Sequence, residues 1–397
     1  MSGADSDAGS WGESSEWSVG AEEELMLVDE RTLLLEAASP GVVGDAEPLV
    51  GPGRIKTELF ACVVELNSGV CGSAGEAADG LSQLRRTAGE LAAKRGLRLL
   101  ASGTHPVSRP DEQPIVPEDR YRAFVEYAGV SARRQGVNGL HVHVGMPDAE
   151  TCFRALEGVL PWLPVVLALS ANSPYLAGEE TGLASNRAEV LAQLPRSGAP
   201  PAFRSYAEWA AFVGRLVRLG LIPDYTMLWW DARPHPRFGT LEVRMPDQPT
   251  SAARTASFVA LLQALCVTAA QGDTPAYDPP GRAIYQQNRW AALRAGLDAA
   301  LVHPLEERIS PARELARELV ELVRPAAEDL GARDVLESLE LEHTEGDAQL
   351  AVGRAEGVDA VTAMLVDRTS GEHPGSVDRS LRAEDAGGSA GRVGETL

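Results

Sequence analysis

The sequence predicts an α+β domain with a mainly antiparallel sheet, closed by a helical last third. Three observations carry that expectation. Short runs with period-two alternation recur through the first two-thirds of the chain, and they follow one another as hairpin-like pairs instead of regular βαβ units. After Ser251 the apolar residues recur at helical spacing.

The first strand, Ser18 to Val28, contains Gly20-Ala21-Glu22-Glu23-Glu24-Leu25. Alternation puts the carboxylates of Glu22 and Glu24 on one face and turns Glu23 to the other. A polar turn at Asp29 to Thr32 and the run Leu33 to Glu36 then complete a hairpin. Glu58 to Leu66 reads as a second strand, on which Glu58 and Glu65 fall on opposite faces unless a bend or bulge intervenes.

Residues 75–95 read as an amphipathic helix through Leu81, Leu84, Ala88 and Leu91, and Leu97 to Gly103 as a buried strand. Pro117 opens a helix to Arg134, where its missing N–H is harmless. Asn138 to Gly145 is a strand, and Ala149 to Ser170 is one or two helices interrupted by Pro161 and Pro164. A long loop, Ala171 to Asn186, precedes a helix at Tyr206 to Leu219; strands at Tyr225 to Asp231 and Thr240 to Arg244 flank a turn at Arg233-Pro234-His235-Pro236. Helices are expected at 251–270, 282–300, 310–323 and 326–341, with shorter pieces to 366. Residues 1–16 and 368–397 are polar and rich in Gly, Ser and Asp, and read as disordered tails around a single domain, 17–367.

Composition narrows the function. A chain of 397 residues with 44% hydrophobic and 23% charged side chains is that of a globular protein with a sizeable core. Its net charge of −21 disfavours non-specific binding to nucleic acid or to an anionic membrane. The N-terminal stretch lacks the pattern of a secretory signal, the apolar run Val159 to Ala171 is too short to span a bilayer, and the four cysteines form no C-x-x-C pair. A cytoplasmic protein with reduced thiols, without nucleic-acid or membrane partners, is expected. The helical last third could pack on itself or on a second subunit, which leaves homo-oligomerisation open.

Several residues could carry chemistry. Glu22 and Glu24 side by side repel unless a cation sits between them, and oxygen-only ligands suit Mg2+ or Mn2+, which also bridge nucleotide phosphates. The alternative is a solvated acidic face, or a helix capped by Ser18. His141-Val142-His143 places two imidazoles on one face, either as metal ligands or as satisfied core histidines. His-x-His alone suggests a zinc hydrolase; the acidic companions favour a hard ion. Thr240-Leu241-Glu242-Val243-Arg244 puts a carboxylate and a guanidinium on one face, as a ligand beside an anion clamp or as an ion pair. Arg187, Arg233, Arg289 and Arg294 are cations available to ATP or an acid substrate, or to neighbouring carboxylates. Neither a P-loop nor a nucleophile elbow occurs.

With these residues in hand the chain resembles the carboxylate–amine ligases of the glutamate–cysteine ligase 2 type, within the larger glutamate–cysteine ligase and glutamine synthetase-like group. The matching stretches run in order: Ser18 to Glu24, Glu58 to Asn67, Gly103 to Pro106, Asn138 to Gly145, Leu169 to Tyr175, Thr181 to Arg187, Trp230 to Pro236, Thr240 to Arg244, and Asn288 to Trp290. They cover roughly residues 18 to 366.

The resemblance implies a curved antiparallel sheet of the glutamine synthetase catalytic-domain type, forming one wall of a funnel, with helices outside. It implies bound ATP and Mg2+, with Glu22, Glu24, Glu58, Glu65, His141 and Glu242 as metal ligands and Arg244 beside the transferring phosphate. Glu65 and Arg244 are then the residues expected to be needed for turnover. The implied reaction is ATP-dependent amide formation between a small carboxylic acid and an amine, through an acyl phosphate, with glutamate and cysteine as the family's named pair. Its rivals are a phosphotransferase on the same scaffold and a nucleotide- or amino-acid-binding regulator without turnover. The chain departs from the family pattern at Ala291-Ala292-Leu293-Arg294, where a more Arg-rich run is usual, and at Asn186, where an aromatic residue is common.

Overall fold

The structure is a computed structural model and describes residues 9–371, apart from 14, 52, 53 and 274. Its centre is a seven-stranded sheet. The strands are β1 (Val19–Asp29), β2 (Ile55–Thr57), β3 (Val63–Asn67), β4 (Leu97–Leu100), β5 (Leu140–Gly145), β6 (Ala232–His235) and β7 (Thr240–Val243). They lie in the order β6, β7, β5, β1, β3, β2, with β4 beside the far half of β1, and every pairing is antiparallel.

The spine is β1. Its first half is flanked by β5 and β3, and its second half continues with β4 on the edge that β5 leaves. Val19, Ala21, Leu25 and Leu27 point to one side, together with Val64, Leu66, Leu140, Val142, Val144, Leu241 and Val243 of the neighbouring strands. Against that face lies helix Ala252–Gln271, apolar nearly all round because helices cover its other sides. Glu23 sits on this same face with no exposure, clasped by Arg85 of helix Ala74–Ala93 at 2.7 Å and by the Thr255 hydroxyl at 2.6 Å. It fastens two helices to the sheet and is no part of the polar face.

On the opposite face a smaller apolar cluster covers only the far end of the sheet. Met26 and Val28 meet Phe60, Val63 and Leu100 there, under Val361 and Leu365 of the last helix, Val358–Ser370. The rest of this face is lined by polar side chains.

Several elements differ from expectation. The expected strand Tyr225 to Asp231 is a helical turn, Tyr225–Met227, followed by Trp229–Trp230 pairing in parallel with Ser197–Gly198. The true partner of β7 is β6, which contains the Arg-Pro-His stretch expected as a turn. Pro234 is tolerated there because β6 is an edge strand, where a missing N–H faces no partner. Helix Ala312–Asp329 continues through Pro325, its apolar face held by Leu315, Leu319 and Val323 in the core. Helix Ser39–Val50 and β2 carry too little periodicity to be foreseen.

Ala149–Ser170 and Ala252–Gln271 are long and apolar enough, by length and composition, to cross a membrane; here their apolar windows are 83% and 67% buried as core helices. Of the expected tails, Ser10 and Gly12 bond to the backbone of Pro236 and Met146, and Arg368 to Ser370 complete the last helix. Residues 1–8 and 372–397 lie outside the described residues.

Candidate functional site

The polar positions of β1, β3, β5 and β7 share one face because the strands alternate in register. Glu24 lies opposite Glu65, and Glu65 opposite Lys56 of β2. One step along, Glu22 lies between Asn67 and His141. The next row runs from Gly20 through His143 and Glu242 to Arg233. Glu58 is not on a strand: it sits in the bend between β2 and β3, which carries its half-buried carboxyl back toward Glu24 and Glu65. The bend therefore unites two residues that a straight strand would have separated.

Burial, then repulsion from Glu24, pushes the Glu58 carboxyl up to about 7. Burial, then Glu22 and Glu58, pushes Glu65 up to about 8, although Lys56 Nζ stands 3.0 Å from Glu65 Oε1. Glu22 accepts a bond from Asn67 Nδ2 at 2.8 Å and faces His141 Nδ1 at 3.6 Å. Glu24 Oε2 accepts the backbone N–H of Gly139 at 2.6 Å. His143 bonds the Thr240 hydroxyl at 3.0 Å through Nδ1 and turns Nε2 toward Glu242 at 4.0 Å.

Two cavities open on this face. One, of about 240 Å3, is lined by Glu24, Glu58, His141, Arg187 and Arg244 together with Phe60, Phe124 and Trp229. The other, of about 480 Å3, begins at Glu22, Asn67 and His143 and is bounded by Phe238. Glu24 and Glu58 line the first and Glu22 the second.

This arrangement is accompanied by a match to glutamate–cysteine ligase family 2 over residues 18–353. The chain belongs to that family. It is 40% identical over 364 residues to "Putative glutamate--cysteine ligase 2-3" of Rubrobacter xylanophilus, covering 91% of this chain and 99% of that one. It is 36% identical over 340 residues to "Putative glutamate--cysteine ligase 2" of Solibacter usitatus, covering 84% and 88%. Its fold is shared with a glutamate–cysteine ligase of Francisella tularensis solved in complex with AMP, at a TM-score of 0.69 and 15% identity over 93% of this chain and 91% of that one. The protein is thus a carboxylate–amine ligase of the glutamate–cysteine ligase kind.

The ligase uses its arginines differently from what their sequence positions suggest. Arg244 and Arg187 line the smaller cavity. Arg233 is not available to an anion: its Nε donates to Glu242 Oε2 at 2.5 Å, and its Nη1 donates to the carbonyls of Thr226 and Leu228. Arg289 is buried against Asp231 at 2.9 Å, where Tyr285 also donates, and so staples helix Pro279–Ala295 to the segment before β6. Arg294 is exposed and lines a separate cavity with Leu183 and Asp298.

Glu242 is likewise engaged within the chain. Both of its oxygens are taken by guanidinium groups, Arg233 on one side and Arg244 on the other, and these outweigh burial to hold its carboxyl well below the usual range. Among the described residues no three His, Cys, Asp or Glu side chains converge as a metal cage. Three of the carboxylates on this face have other partners: Glu65 has Lys56, Glu22 has Asn67 and Glu24 has the Gly139 amide. The donor chemistry of Glu22, Glu24, Glu58, Glu65 and His141 still fits a hard divalent cation, because this one face concentrates half-buried carboxylates beside an imidazole.

Two cavity residues, Gln135 and Asn138, were not singled out from the sequence, whereas Arg187 was. Gln135 Oε1, Asn138 Nδ2 and Arg187 Nε are buried without hydrogen-bond partners, and all three residues line the smaller cavity. Asn138 and Arg187 stood inside matched motifs; Gln135 carried no signal of its own. Lys56 and Trp229 were equally silent, the first on a strand of only three residues.

Proposed function

We propose that the protein joins a carboxylic acid to an amine with hydrolysis of ATP to ADP, through an acyl phosphate, and that it requires Mg2+ or Mn2+. The observation that carries this reading is the one cavity that Glu24, Glu58 and His141 line together with Arg187 and Arg244. A site with both charges at close quarters suits phosphoryl transfer, in which anionic groups must be gathered and their charge neutralised. The AMP held by the Francisella ligase supports a nucleotide on this fold.

Glu22, Glu24, Glu58, Glu65 and His141 would hold the divalent cation, which, when bound, screens phosphate charge. Arg244, kept in place by Glu242, stabilises negative charge as the substrate carboxylate attacks the γ-phosphate. Arg187 Nε and Asn138 Nδ2 are unpaired donors suited to a substrate carboxylate, and Gln135 Oε1 is an unpaired acceptor suited to an N–H. The amine then displaces phosphate after giving its proton to a carboxylate of the cavity or to water. Phe60, Phe124 and Trp229 exclude water from the reactive acyl group. Cys62, Cys152 and Cys266 are buried, with thiols pushed up by burial, and take no part.

The test is product release by the purified protein with ATP and Mg2+ across a grid of acids and amines that includes glutamate and cysteine. Release of ADP and phosphate that requires one acid and one amine, with the condensed mass in the products, is the expected result. AMP and pyrophosphate would instead mean acyl adenylate chemistry, and a phosphorylated product without amine dependence would mean a phosphotransferase.

A further inference from the structure

Two of the chain's 36 basic side chains are lysines, Lys56 and Lys94. Lys94 ends a helix. Lys56 stands in the carboxylate row, opposite Glu65 and one strand away from Glu24. A chain that otherwise builds its cations from arginine has a lysine at the one basic position in this row.

The contrast with Glu242 shows what the choice does. Two guanidinium groups grip both oxygens of Glu242, in a side chain 2% exposed, and Arg233 is further tied to two carbonyls. That carboxylate is locked. Among the described residues Lys56 makes a single ionic contact, Nζ to Glu65 Oε1 at 3.0 Å, and its side chain is 36% exposed on a flexible stem. An ammonium is a point charge that can swing to water, whereas a guanidinium fork is a fixed two-pronged clasp. Glu65 is therefore neutralised but not locked.

We propose that Lys56 is a displaceable counter-ion that holds Glu65 until a divalent cation binds and then releases that carboxylate to it. The proposal rests on the divalent-cation reading above. Its geometric basis is the row itself: Glu24 stands opposite Glu65, and Lys56 places its positive charge on the other side of Glu65 at 3.0 Å. The proposal makes Lys56 a competitor of the cation, so that the residue at position 56 sets cation affinity.

Mn2+ binding to the full chain without nucleotide, measured from the free-ion electron paramagnetic resonance signal, tests this with two variants. Lys56→Met removes the competitor and should tighten Mn2+ binding by about tenfold, the scale of one charge removed beside a ligand carboxylate. Lys56→Arg substitutes a two-pronged clasp and should weaken it. Opposite shifts in two variants that keep the wild-type circular dichroism spectrum cannot come from a general loss of structure. Unchanged affinity in both, with Mn2+ bound by the wild type, would overturn the counter-ion role alone. No Mn2+ binding by the wild type would overturn the cation reading, and the counter-ion role with it.

Discussion

The guanidinium of Arg187 fills the space that a side chain at position 139 would need: a Cβ built on Gly139 would stand 2.0 Å from Arg187 Nη2 and 2.5 Å from its Cζ. The same glycine donates its N–H to Glu24. One residue at the entry of β5 thus positions a cation and a carboxylate of the cavity. Gly139→Ala should lower kcat/KM by roughly a hundredfold through displacement of Arg187, a misplacement effect of the usual size. Steady-state kinetics beside a melting curve check this; a folded variant with wild-type kcat/KM would show that the placement of Arg187 is irrelevant to turnover.

Arg244 is oriented by Glu242 and reaches the cavity that Glu24 and His141 line. Arg244→Ala should reduce kcat by about a hundred- to a thousandfold, the scale of losing one stabiliser of transition-state charge, with a smaller change in nucleotide affinity. Single-turnover kinetics and nucleotide titration separate the two. An unchanged kcat would remove the role assigned to it.

On the helix-facing side of the sheet, Arg85 and Glu23 are 6% and 0% exposed and form a buried pair that Thr255 and Gln248 complete. Arg85→Met leaves the Glu23 carboxylate without its cation in the core and should destabilise the protein by about 3–5 kcal/mol. Urea unfolding measures this. Because the pair lies behind the sheet, the activity of the molecules that remain folded should be preserved, in contrast to Arg244→Ala.

His105 gives a pH dependence whose sign is fixed by its bonds. The N–H groups of Val107 and Ser108 both donate to Nδ1, so Nε2 must carry the proton that bonds Leu33 O at 2.9 Å. Burial holds the ring down at about 4, against an ordinary value of 6.5. The unfolded chain therefore takes up this proton first as pH falls. Stability is complete above pH 6.5 and is lost toward pH 4, by up to about 3 kcal/mol from this residue. Denaturation at pH 7.5 and 4.5, two points roughly spanning that window, should show a smaller acid loss for His105→Gln than for the wild type; equal losses would mean that the ring is not kept neutral.

What was legible in the chain was what is local. The alternation in Glu22 to Glu24, His141 to His143 and Glu242 to Arg244 assigns faces correctly, because period two needs only neighbouring residues. The same reasoning missed β6, where Pro234 reads as a turn until the strand is seen to lie at the edge of the sheet. It could not decide between two positions for Glu58, since the bend after β2 is made by pairing with β3 and not by any turn residue. For Arg233 and Arg289 the choice between an anionic ligand and a carboxylate of the chain stays open in the sequence, because a lone arginine does not show which carboxylate it will meet; Glu242 and Asp231 are the ones they meet.

The sequence by itself determined the family, the α+β class and the set of carboxylates and imidazoles on one face of the sheet. Only the tertiary structure decided which of those groups are free to act. Among the described residues Glu242 is clasped by two arginines, Glu65 is held by Lys56 alone, and Arg187 stands beside Gly139 with an unpaired Nε. The reason is physical. The face of a residue follows from the geometry of its own strand, whereas its charge partner is set by strand register and burial, which bring together groups distant in sequence and remove the water that would otherwise screen them.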